Sequence, residues 1–438
     1  MAQAEQRTRP PGPRGHWLMG NTPAYDDDRI GFLRRTHHEY GDVFAFDERT
    51  VFVTAPETAH EVLARTNTDF LTELAPFDAR PDLGDAAGQA AAWMSARRTV
   101  WPGLNHTAAA AADTRTVALL DELTRPAAAS EVDVLPLARA FTAHAIAEYC
   151  FGRDAPGLAE LLADNLDITE PFTASSYQFP AWLPLPRHRR FFRVHRHTVQ
   201  TLTALVRRRR ADPRPATPAD LLDFLLDADP AMPDGTVMAT LRGILMGGHG
   251  IPAAAVVSIV RELALRPELA ADLRDEAGPG DELPKARLPL AEAVVKEVLR
   301  LYPPVWLMTR TAYRPTTLGN WTLNPGDEVL VNPYLIHRDP RWWERPDEFD
   351  PGRWLTGRPA PRTAYLPFGA GPRVCVGSAL AMRQLTLTTS RLAQAYTVAS
   401  ANAVTAAPRF LGRLAPSGLR ARFAPARGCP VTGAGGTR

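Results

Sequence analysis

Between Phe368 and Ala381 the chain reads Phe-Gly-Ala-Gly-Pro-Arg-Val-Cys-Val-Gly-Ser-Ala-Leu-Ala, a glycine-rich loop that carries one cysteine, Cys375, into an apolar helical pattern. A thiolate at that point meets the positive end of the helix and several free backbone N–H groups, and both favour its ionised form. Gly369, Gly371 and Gly377 let the backbone pass close to a flat, bulky group where a Cβ would collide. Phe368 can screen the sulfur from water, and Arg373 offers a fork of donors to a carboxylate. A thiolate ligand to haem iron requires this set of parts, which makes Cys375 the candidate metal ligand.

The elements that must position this loop are mostly helical. Helical patterning runs from Ala86 to about Arg153, from Val237 to Leu265, over 288–302 and over 377–396. Val43–Phe46 and Val51–Val53 alternate like a small sheet, strand-like segments follow Pro303-Pro304 as far as Val331, and Phe410 to Phe423 reads as a terminal hairpin. The stretch Pro171 to Pro186 holds Phe172, Tyr177, Phe179 and Trp182 among four prolines and reads as a loop, a lid or a packed connector. Arg207 to Arg210 end a helical pattern and are expected to stay solvated at a helix C-terminus. The expected organisation is a flexible lead-in over 1–25, one catalytic domain over 26–425 and a flexible tail over 426–438. The fold class is mainly α with small β-sheets.

Composition narrows the function. A net charge of +2, from 50 basic and 48 acidic residues, excludes a nucleic-acid binder driven by bulk charge. Cys150, in an apolar run, reads as a core thiol, and Cys429 lies in a Pro/Gly tail; three separated cysteines make no disulfide framework and fit a reducing cytoplasm. Met1 to Gly15 is polar, without an apolar run for a signal peptide or membrane anchor, so a soluble, cytoplasmic protein is expected.

The spacing Phe-x-x-Gly-x-Arg-x-Cys-x-Gly-x-x-Leu-Ala resembles the haem-binding signature of the cytochrome P450 family at every fixed position. Other motifs follow that family in order: Trp93-x-x-x-Arg97, Glu297-x-x-Arg300, Arg310 after Val305–Met308, and Phe349-Asp-Pro-Gly-Arg353-Trp354. The resemblance covers roughly residues 30–425. It implies the P450 fold, with haem b between the long central helix and the helix after the Cys loop. It also implies an axial Cys375 thiolate, propionates held by Trp93, Arg97, Arg310 and Arg373, and a structural Glu297–Arg300–Arg353 cluster. Phe368 and Gly377 join the cofactor-binding set.

The long helix departs from the family. Where members usually read Ala/Gly-Gly-x-Asp/Glu-Thr, this chain has Gly247-Gly248-His249-Gly250-Ile251, followed by Pro252. These five residues form the segment expected to face the reacting centre. Gly250 and Ile251 replace the acid and alcohol that deliver protons for dioxygen cleavage, and neither side chain has a donor or acceptor. Pro252 is expected to interrupt and kink the helix, and His249 to face away in a structural role. The departure leans the reading towards chemistry on a preactivated substrate, such as nitrene-type transfer, cyclisation or rearrangement. An oxygen-dependent monooxygenase assisted by a substrate hydroxyl or ordered water is the alternative, and a non-catalytic haem protein the minor one. Phe70–Phe77, the 172–182 stretch, Val305–Met308 and the region of Leu411 are expected to line a pocket for a hydrophobic secondary metabolite. Arg98, Arg362 and Arg373 are expected to dock an acidic ferredoxin or flavodoxin.

Overall fold

The computed structural model describes residues 9–426 except 73–82, 153–154, 175–182, 184, 214–215, 280–286, 358–361 and 411. Helices dominate. Val134–Phe151, Asp234–Leu265, Pro289–Leu301 and Ser378–Ala395 pack into one apolar core in which Ala253, Val257, Ile259, Val294, Val298 and Ala393 have no more than traces of exposure. Prolines start several helices, among them Pro56, Pro186 and Pro289, where the missing N–H has no helical partner to lose.

A five-stranded sheet brings the chain's two halves together. Its strand order is Val43–Ala45, Thr50–Val53, Glu328–Val331, Met308–Ala312 and Phe70–Thr72. Only the junction of Thr50–Val53 with Glu328–Val331 is parallel, and it joins residues some 280 positions apart, which no hairpin could do. One face of the sheet buries Val51, Val53, Phe70, Val329 and Val331 completely. Phe70, expected at the pocket, is therefore a core residue of the sheet; 73–77 lie outside the described residues.

Several expectations change. The long helix runs unbroken from Asp234 to Leu265 with Pro252 inside it. Every residue from Pro252 to Val260 is buried, so packing on all sides holds the turn that proline weakens. By length and hydropathy this helix could cross a membrane, yet 72% of its most apolar window is buried within the protein, as expected of a core helix. The helix Leu158–Ala174 extends through Pro171 and Phe172, which were read as loop; 175–182 lie outside the described residues. The C-terminal hairpin is shorter than expected: Pro408–Phe410 pairs with Leu414–Pro416, while Arg420–Pro425 joins a separate sheet with Tyr396–Ala399 and Val132–Asp133. The lead-in before residue 26 is tied down, since Pro11 accepts from the Ala45 N–H and Thr22–Asp27 is helical.

The arginine run is not uniformly solvated. Arg209 turns inward, donating to Asp220 at 2.7 Å, Asp223 at 2.6 Å and the Phe151 carbonyl. Arg210 binds Asp234 and two carbonyls, and Arg207 is left largely exposed. Helix and loop thus partly bury two of the four like charges, Arg209 and Arg210, while Arg207 and Arg208 stay exposed.

Glu297 and Arg300 form a fully buried pair, with Arg300 donating to both carboxylate oxygens at 2.8 and 2.9 Å. Arg353, Trp354 and the Asp350 N–H complete the shell around Glu297, while Arg300 also donates to the His337, Pro346 and Glu348 carbonyls. Burial alone would raise the Glu297 carboxyl, but Arg300, the Asp350 N–H and Arg353 together outweigh it and hold it below the ordinary value. His337 closes the network: its Nε2 accepts from the Leu366 N–H, so Nδ1 must donate to the Arg300 carbonyl. Leu366 stands two residues before Phe368, so the cluster braces the start of the Cys loop. Glu297→Gln leaves Arg300 a buried, under-compensated cation. Loss of about 3–5 kcal/mol is expected in denaturant unfolding, against less than about 1 kcal/mol for the exposed pair mutant Glu292→Gln.

Candidate cofactor site

Cys375 sits in a loop closed by its own N–H, which donates to the Phe368 carbonyl at 2.9 Å. Gly369 and Gly371 hold left-handed backbone at φ 71° and 70°. At Gly371 the close approach is to protein: a Cβ there would lie 2.2 Å from the Leu63 carbonyl oxygen, at the end of the helix Pro56–Ala64. The glycine is needed, though not for the flat group the sequence suggested. Gly377 differs, with open space where its Cβ would be, and its N–H donates to the Cys375 sulfur. Burial nonetheless raises the Cys375 thiol, against the lowering effect of that N–H and of Arg97. The expectation that helix end and amides alone keep the sulfur ionised is corrected: in the protein alone burial outweighs them.

The helix Leu83–Val100 links the Cys loop to the long helix. Trp93 and Arg97, one turn apart, project from one face. The Trp93 ring reaches to 3.4 Å of where a Cβ on Gly243 would stand, and buried Arg97 is near enough to Cys375 to feel its charge. The Arg97 guanidinium also lies 5.2 Å from the Trp101 ring centroid. Arg373 is half-buried beside it and donates to Asn67 at 3.3 Å. Burial lowers both arginines, and Arg97 pushes Arg373 further down. Neither has a carboxylate at ion-pair distance among the described residues. Arg310 is buried in the sheet, donating to Thr66 at 2.9 Å and to the Thr309 carbonyl. Met308, two residues earlier on that strand, lies against Gly369.

Two adjacent cations without an anion, a sulfur with its donor and a glycine open above it suit a flat, dianionic metal cofactor. Cys375 would hold its metal; Arg97, Arg373, Arg310 and Trp93 would surround its acidic edge. The long helix offers a matching strip. Gly243 and Gly247 are exposed and Ile251 partly so, each one turn from the next, on a helix whose other positions around 249–260 are buried. Phe368 packs at the edge of the main apolar core.

His249 points the other way. Its ring lies against the main chain of Arg139 and Leu162 without a well-formed hydrogen bond at either nitrogen. Burial, then the nearby Arg413 and Arg139, push it down to about 4. Gly248 packs on Ile146. Gly250 meets Arg413 and Leu166, a contact that sequence reasoning missed: 163 positions separate the pair, and no spacing rule links a hairpin tip to a helix. Trp306, in the expected lining, is instead buried against Phe410 at 4.4 Å. Of the expected docking arginines Arg98 is exposed, Arg373 faces inward, and the side chain of Arg362 lies outside the described residues, as do Leu411 and Cys429.

Comparison with known proteins follows the same lines. The family model described as "Cytochrome P450" matches residues 10–414. Cyclooctatin synthase of Streptomyces melanosporofaciens is 47% identical over 109 residues, 24% of each chain. Cyclooctat-9-en-7-ol 5-monooxygenase of the same organism is 32% identical over 227 residues, 48% of each, and mouse lanosterol 14-alpha demethylase 32% over 253 residues, 55% of this chain and 49% of that one. The matched stretches thus span at most about half the length of these relatives. Among solved structures, a cytochrome P450, CYP102L1, superposes with a TM-score of 0.77 at 22% identity, over 90% of this chain and 97% of that one. Retinoic acid-bound cyanobacterial CYP120A1 gives 0.80 at 19%, over 96% and 100%.

The two buried imidazoles make stability depend on pH. His249 and His337 take protons only near about 4 and about 3 in the folded chain, in both cases chiefly because of burial, whereas an unfolded histidine does so near about 6.5. Between those values the unfolded chain binds more protons, so this contribution is complete above the unfolded value and is lost as pH falls through the folded ones. Each imidazole is expected to contribute a slope of up to about 1.4 kcal/mol per pH unit in that window. His249→Gln should remove one such slope from denaturant unfolding measured between pH 7 and 4; an unchanged slope would contradict the assignment.

Proposed function

The chain belongs to the cytochrome P450 family, whose members carry a haem-thiolate iron, and from this we propose an enzyme that oxidatively tailors a hydrophobic bacterial secondary metabolite. The observation that carries the reading is the Cys375 loop with Arg97 and Arg373 beside it, two cations with no carboxylate at ion-pair distance among the described residues. Haem b is the cofactor proposed, with Cys375 as its ligand and Trp93, Arg97, Arg310 and Arg373 around its propionates. When bound, it supplies the redox chemistry. The protein's residues do the rest.

Gly377 donates its N–H to the sulfur and so limits the charge the thiolate can push forward. Gly243 and Gly247 leave room on the long helix, and the Ile251 side chain lines that strip with methyl groups that repel water. Pro252 has no N–H, so the Gly248 carbonyl loses its helical donor and becomes an acceptor that can hold one water. That carbonyl is the polar atom available for a proton path where Gly250 and Ile251 offer none.

Oxygen-dependent monooxygenation is the better-supported reaction, because the bacterial relatives include a monooxygenase by name. The Gly250-Ile251 pair favours a second reading, atom transfer or rearrangement on a preactivated substrate, which needs no proton relay. Soluble ferredoxin or flavodoxin is the proposed electron donor for the first reading, meeting the face of Arg98, and a cytoplasmic location is proposed with it.

Two measurements decide. Reduced protein with carbon monoxide should show the red-shifted Soret band of thiolate-ligated haem, and Cys375→Ser should lose it; an ordinary haem band from intact protein defeats the proposed ligand. Turnover should require oxygen and a continuous electron supply, and the product should carry an atom from labelled dioxygen. Product formed anaerobically without a redox partner decides for the second reading.

A further inference from the structure

Beside the strip that the cofactor would face, the structure builds a cationic site to which the haem-thiolate reading gives no role. Arg413 reaches from the tip of the hairpin Pro408–Phe410/Leu414–Pro416 to the long helix. Its guanidinium carbon stands 2.9 Å from where a Cβ on Gly250 would be, with both Leu166 methyls equally close. Any side chain at 250 would displace it. An acid there would also neutralise it. Gly250 and exposed Gly247 are three residues apart, neighbours on the helix surface.

The guanidinium is poorly satisfied. Its Nε is buried with no hydrogen-bond partner, and its acidic neighbour, Glu170, stays 3.8 Å from Nη1. Glu170 is already bound closely by Arg139, which also takes Asp167. His249, next to both arginines, is neutral and adds no negative charge. The Arg413 side chain keeps 20% of its exposure, so the group is desolvated without being sealed. A buried donor left unpaired costs free energy that a ligand can return, and a guanidinium is shaped for a carboxylate, which it can hold through two parallel hydrogen bonds.

Resting on the haem-thiolate reading, we propose that Arg413 anchors a carboxylate on the substrate, whose apolar body lies along the Gly243–Gly247–Ile251 strip. The substrate class is a hydrophobic carboxylic acid. Gly250 then follows from the substrate: the acid missing from the helix makes room for a cation that receives one from outside.

The test uses haem-loaded full-length protein with palmitic acid and methyl palmitate, a pair with the same alkyl chain in which a methyl ester replaces the carboxylate, read by Soret shift and by thermal stabilisation. The acid is expected to bind at least ten-fold tighter than the ester, about 1.4 kcal/mol. Arg413→Gln should erase that preference and Arg413→Lys should keep part of it. Gly250→Ala, which pushes on the guanidinium, should weaken the acid and spare the ester. If Arg413→Gln does not fold, the Lys and Gly250→Ala variants decide. Equal affinities, a preference that survives Arg413→Gln in folded protein, or binding of neither probe overturns the proposal. The carbon monoxide spectrum scores the haem-thiolate reading separately. A normal thiolate band with equal affinities sinks the anchor alone; a missing band sinks that reading, while thermal stabilisation still ranks acid against ester.

Discussion

A nearly buried sulfur, Cys375, held in a tight glycine-rich loop, is the constraint around which the proposed site is arranged. Burial opposes ionisation of Cys375, and one N–H and one distant cation do not overcome it. The proposed haem, with its positive metal and negative edge, would complete that balance. Arg97 and Arg373 show the complementary half of the same problem: a buried and a half-buried cation near each other, an arrangement that an anion between them would relieve. Each defect is costly alone. Together they describe the group that removes both, and stability should consequently depend on cofactor loading.

Positioning such a site demands a rigid frame, and the Glu297 network provides it at the loop's base. Every polar atom of the Glu297 carboxylate is engaged, and Arg300 ties three carbonyls from the 337–348 segment to the helix. A buried ion pair of this kind is weak evidence for net stability, since desolvation consumes much of the Coulomb gain. Its effect is geometric: with His337 locked in one tautomer against Leu366, the entry to the Cys loop has one allowed path.

Much of this was legible in the sequence because it rests on short-range rules. The i,i+3 spacing of Glu297 and Arg300, the i,i+4 spacing of Trp93 and Arg97 and the glycines of the Cys loop each encode a local geometry. What failed was long-range. Pro252 weakens a helix locally, but packing on every side of 252–260 keeps the helix whole. Arg209 looked solvated among its neighbours until the chain brought Asp220 and Asp223 to it. Gly371 was read correctly as a close approach and assigned to the wrong partner, since only the fold reveals the Leu63 carbonyl.

The same contrast separates the two buried charge clusters. Around Glu297 donors and acceptors match, and removing any one leaves a deficit; such a cluster is finished and can only be structural. Around Gly250 they do not match: Arg413 keeps an orphaned Nε, Glu170 is shared, and His249 holds no bonded partner at either nitrogen. Natural folds rarely leave buried donors unpaired, so unmatched groups concentrate where a ligand, water or substrate completes them. Orphaned buried donors occur elsewhere too, at Arg274 and Arg338 among others, but the helix turn at 247–252 combines its own with a missing proline N–H and three glycines. A segment of that kind can be completed from outside the chain, and the positive charge of Arg413 favours an anion over water or a neutral acceptor there.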